Sequence, residues 1–75
     1  VVYGIQIMAS GREVPSDDKA FKGYSPVVVK DGDLYKYIVC VSGTEQEVRT
    51  AFKTVSKKFP GSFVVKVEGG TVSRR

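Results

Sequence analysis

The chain has 75 residues, 41% of them hydrophobic and 27% charged, with a formal net charge of +4. A chain this short buries only about 60% of its unfolded surface, so one core fits and a second lobe does not. With no histidine and a single cysteine, Cys40, it lacks the commonest general base and metal ligand and cannot carry a disulfide framework.

Residues 1–10 alternate, with Tyr3, Ile5, Ile7 and Ala9 set against Gly4, Gln6, Met8 and Ser10, which predicts a strand with one buried face. The polar stretch from Gly11 to Gly23 contains Pro15, Ser16, Asp17 and Asp18. There Ser16 or Asp17 is placed to cap a short helix over Asp18–Phe21, and Gly23 to stop it. Pro26 forces an extended backbone into Val27-Val28-Val29, a second strand. Lys30-Asp31-Gly32-Asp33 contains the Asp-Gly dipeptide of a tight hairpin, and Leu34 to Ser42 follow as a third strand.

Thr44 and Glu47 have the spacing of a capping box. Behind them Val48, Ala51, Phe52, Val55 and Phe59 form one apolar stripe at helical period, ended by Pro60-Gly61. Residues 63–67 (FVVKV) read as a fourth strand. The predicted order β-α-β-β-α-β is that of an α+β fold of ferredoxin-like type: a four-stranded antiparallel sheet with helices on one face. Its first helix is expected to be short or loop-like. Residues 1–68 read as one domain and 69–75 as a flexible C-terminal tail. Because Val1 stands where an initiator methionine would, the chain is expected to be a piece of a longer protein.

If the first strand buries its odd positions, Tyr35, Tyr37, Val39, Val41, Phe63, Val65 and Val67 should share the helix-covered face. The other face then shows Gln6, Met8, Leu34, Lys36, Ile38, Cys40, Val64, Lys66 and Glu68. That mixture of aliphatic and polar groups fits either a binding surface or a face covered by a second protein layer. Asp17, Asp18, Asp31 and Asp33 sit in turns, where aspartate serves the backbone, so no metal site is assigned. The chain shows no nucleophile–base constellation, so the domain is read as non-catalytic and without cofactor.

The segments VVYGIQIMAS, AFKG, DGDLYKYIVCVSGT and KKFPGSFVVKVEGG resemble the SPOR domain, a peptidoglycan-binding module of bacterial envelope proteins. The likeness is nearest to the C-terminal module of N-acetylmuramoyl-L-alanine amidases of Bacteroidetes type, and it spans nearly the whole chain. It implies binding of glycan strands stripped of stem peptides, on the sheet face away from the helices. The partner would be peptidoglycan and the setting the periplasm or cell envelope. The domain would serve as a monomer or weak dimer that targets a wall amidase or division protein. By this resemblance Gln6, Leu34, Lys36 and Val64 are glycan-binding residues, and Met8, Ser10, Ile38 and Lys66 are added to them as candidates. Two stretches depart from the family pattern: Met8-Ala9-Ser10 replaces a small pair, and the first helix is truncated.

Chemistry gives those residues a role. Removal of a stem peptide leaves a carboxylate on each muramic acid, which Lys36 and Lys66 could meet, while Gln6 can bind acetamido or hydroxyl groups. Leu34, Met8, Ile38 and Val64 would cover apolar sugar faces. An alternative is a module binding single-stranded RNA or protein on the same fold. Against RNA, Tyr35 and Tyr37 take the inward parity and no glycine precedes the third-strand aromatics.

Overall fold

The computed structural model describes residues 1–15 and 17–75. The fold is α+β: β1 (Val2–Ser10), a 3-10 turn (Lys19–Phe21), β2 (Val27–Asp31), β3 (Leu34–Ser42), α1 (Glu45–Lys58), β4 (Phe63–Glu68) and β5 (Thr71–Arg74). The strands form one five-stranded antiparallel sheet in the order β2-β3-β1-β4-β5. Strands β1 and β3 are neighbours at its middle. Among the described residues no helix is long and apolar enough to cross a membrane.

The sheet has five strands and not the expected four. Residues 69–75, read as a tail, turn back through Gly69 (φ 57°) and Gly70 (φ 82°), and Thr71–Arg74 pair with β4. Two consecutive positive φ values are what the tightest two-residue hairpin turn demands, and a Gly-Gly pair supplies them without steric cost. The Asp31–Leu34 hairpin also forms, with Gly32 at φ 64°.

Helix α1 follows the sequence closely. Val48 and Val55 are buried with Ile5, Val39 and Val64, and Ala51, Phe52 and Phe59 pack against that cluster. Thr44 holds the N-cap place, but its hydroxyl donates to the Glu47 carboxylate at 2.8 Å and caps no backbone N–H. The capping box is therefore only half made.

The expected first helix shrinks to the 3-10 turn. Asp18 caps it, its carboxylate accepting from the Ala20 N–H at 2.8 Å, and Lys22 ends it at φ 52°. The proposed cap Ser16 lies outside the described residues. Fully buried Phe21 packs on Tyr37 at 5.0 Å between ring centroids. The Tyr37 hydroxyl accepts from the Val14 N–H. Lys22 donates to the carbonyl of Lys58, and Tyr24 meets Phe59 edge-on at 5.7 Å. The loop thus clamps to the end of α1 and covers the same sheet face.

Register decides which side chains share a face, and it overturns part of the expected alternation. An extra residue in β1 between Gln6 and Met8 shifts Met8 opposite Tyr37, Ala9 opposite Lys36 and Ser10 opposite Tyr35. Each later side chain of β1 therefore changes face, because strand periodicity is two and a bulge adds one. Met8 and Ser10 move to the helix side. A second irregularity, where Cys40 adopts φ 55°, turns Val41 away from the helix.

In β4 the expected parity is reversed throughout. Ile5 pairs with Val64 and Tyr3 with Lys66, which places Val64 and Lys66 on the α1 side. Phe63, Val65 and Val67 face the other way, beside Gln6, Gly4 and Val2. The FVVKV stretch is apolar in both phases apart from its lysine, so its own alternation could not fix the face.

The sheet is curled rather than flat. The Asp31 carboxylate, at the end of β2, accepts from the Val72 N–H of β5 at 3.1 Å, so opposite edges of the sheet meet. The concave face is the one away from α1, and curling closes it over its own middle. Ile38 and Val65 are 0% exposed there, although neither lies against the helix.

Candidate functional site

Gln6 lies on this concave face, between Ile38 on β3 and Phe63 on β4. It is only 9% exposed, the one buried polar residue among those described. No protein group hydrogen-bonds its amide among the described residues. Ser62 Oγ alone is a fully enclosed side-chain polar atom without a partner there, so the Gln6 amide keeps contact with solvent. Its donors and acceptor, free of protein partners among the described residues, are thus open to water or to a ligand.

Around Gln6 the face is apolar at its floor and charged at its rim. Gly4 matters to the floor: a Cβ there would collide with Ile38 Cγ2, so the absent side chain is the space that Ile38 fills. Across Gly4 stands Val65. At the rim, Lys36 pairs with Asp31 at 3.2 Å, both side chains partly buried. The Val72 N–H and then Lys36 hold the Asp31 carboxyl below its ordinary value. Leu34 (42% exposed) and Val27 (50% exposed) border the same side. At the opposite rim the Arg74 guanidinium lies over the Phe63 ring at 4.4 Å.

The structure brings together only some of the residues proposed from sequence. Gln6, Leu34, Lys36 and Ile38 share the concave face, with Ile38 sealed in its floor. Met8 and Ser10 are carried off by the β1 bulge. Val64 is core, packed with Ile5 and Val48. Lys66, half-buried on the helix side, is paired with Glu68 at 3.8 Å. Val27, Asp31, Phe63 and Arg74 belong to the face and were missed. The Gly69-Gly70 turn was the signal for Arg74; Phe63 carried none, because its strand reads equally well in either phase.

A shallow depression of about 360 Å³ lies elsewhere, lined by Asp17, Asp18, Gly23, Tyr24 and Ser25. Its Asp18 carboxylate is already spent on the 3-10 turn. Compared with protein-family models, curated proteins and solved structures, the chain shows no significant match in any of the three.

Proposed function

We propose that the chain is a non-catalytic module that binds carboxylated glycan strands, peptidoglycan stripped of its stem peptides being the fitting ligand. The observation that carries this reading is the Gln6 amide on the concave face, solvent-accessible and without a protein partner among the described residues. An acetamido or hydroxyl group is the natural complement of an amide that both donates and accepts. Leu34, Val27 and Phe63 offer apolar surface for sugar faces, and Lys36 a cation for a carboxylate.

The strand order β2-β3-β1-β4 and a single covered face support a ferredoxin-like ancestry, to which β5 is an addition and from which one helix is lost. The SPOR resemblance rests on that order and on the motifs given above. The targeting of a wall amidase or division protein, and a place in the bacterial periplasm, follow from it. An RNA-binding reading is less favoured, since Tyr35 and Tyr37 lie on the helix side and Phe63 is the sole aromatic ring of the concave face among the described residues.

The test is sedimentation with amidase-treated sacculi. Gln6→Ala combined with Leu34→Ala should abolish pelleting while the thermal transition moves little, because neither side chain belongs to the α1 core. A double variant that still pellets like the parent would place binding elsewhere.

A further inference from the structure

We infer that β5 is a displaceable strap over the glycan-binding face, so that the described structure is the closed, low-affinity state. This rests on the glycan reading of the concave face and names its regulation.

The attachment of β5 is weak for a strand that closes a sheet. It has four residues, of which only Val72 is even half-buried. Beyond the ladder to β4, its fastenings are a few polar contacts and the stacking of Arg74 on Phe63 and of Arg75 on Tyr3. Asp31 accepts from the Val72 N–H, Arg75 pairs with Glu45 at 3.1 Å, and the Arg75 N–H donates to the Val64 carbonyl at 2.9 Å. Exposed ion pairs contribute little and are screened by salt. The main core of Ile5, Val39, Val48, Val55 and Val64 involves no β5 residue. Segments with few buried apolar contacts open well before the whole molecule does.

What β5 covers is specific. Arg74 stands opposite Val65 and reaches over Phe63, and Val72 stands opposite Val67. Lifting β5 would bare Phe63, Val65 and Val67, an apolar track of about 13 Å beside the Gln6 amide. It would also part the β2–β5 seam at Asp31. A track of apolar floor with an amide alongside is what a run of sugar rings requires, and the closed sheet withholds it. Gly69-Gly70 supplies the hinge.

Two readouts test this. The first is ligand-free: Val65→Cys is placed in a Cys40→Ser background, and its reaction with a thiol reagent is timed. The intact chain is compared with one ending at Gly69 and with Arg75→Ala, which removes one fastening and leaves the ladder whole. Circular dichroism reports whether each keeps its fold, and Arg75→Ala carries the test if the truncation does not. If the strap is shut about nine-tenths of the time, the chain ending at Gly69 should react about tenfold faster and bind stripped sacculi about tenfold more tightly, and Arg75→Ala, which removes one weak fastening, should raise both by up to about fourfold. Equal reaction rates would overturn the strap. Faster reaction with unchanged, measurable binding would overturn its regulatory role and leave the glycan reading intact. Faster reaction with no binding by any chain would refute the glycan reading itself, and the regulation with it.

Discussion

Cys40 shows how a single residue can hide a change of face. It occupies the left-handed region at φ 55°, where glycine is the ordinary occupant, and its side chain is exposed. Left-handed backbone costs an L-residue roughly 1–2 kcal/mol, while a new glycine loosens the unfolded chain by about 0.4–1 kcal/mol. The first effect is larger and no packing is lost, so Cys40→Gly should stabilise the domain by about 0.5–1 kcal/mol. Denaturant midpoints of the two proteins decide it, and a destabilised Cys40→Gly would mean that the irregular pairing of β3 is not strained. Had a glycine stood at this position, the switch of Val41 to the concave face would have been readable from sequence.

At the scale of elements, α1 was legible because its stripe has a single phase. Val48 is fully buried, and Val48→Ala should cost roughly 2 kcal/mol in chemical denaturation. Thr44→Ala should cost clearly less than the about 1 kcal/mol of a working N-cap, since the Thr44 hydroxyl donates to Glu47 and satisfies no backbone N–H. A loss equal to that of a true cap would mean the hydroxyl turns to the backbone in solution. The strands were legible in position but not in facing. β1 was read correctly up to Gln6 and wrongly from Met8, where one extra residue enters. β4 was read in the wrong phase because valine occupies both of its faces. Of the residues expected on the open face, Gln6, Leu34, Lys36 and Ile38 do lie on the concave side, while Met8, Ser10, Val64 and Lys66 lie on the other. Closure of the sheet was beyond reach, since it depends on Asp31 meeting a backbone amide far along the chain.

For the molecule as a whole, two carboxylates tie distant parts together, and both titrate below their ordinary values. Asp31 is lowered by the Val72 N–H and then Lys36, and Glu45 by Arg49 with a further contribution from Arg75. A carboxyl whose folded pKa is depressed contributes stability above its unfolded pKa. That contribution is lost as pH falls through the folded value. The seam between β2 and β5 and the tether of Arg75 to α1 should therefore hold at neutral pH and weaken below about pH 4. Amide exchange at Val72 reports the seam, and protection at that amide unchanged down to acid unfolding would contradict the assignment. The concave floor carries a different constraint, since the bare α-carbon of Gly4 and the bulk of Ile38 fill one shared volume. Kin of this chain can enlarge position 4 only by trimming position 38. Matched size at the pair, with neither residue identity required, is thus a mark by which diverged descendants could be known.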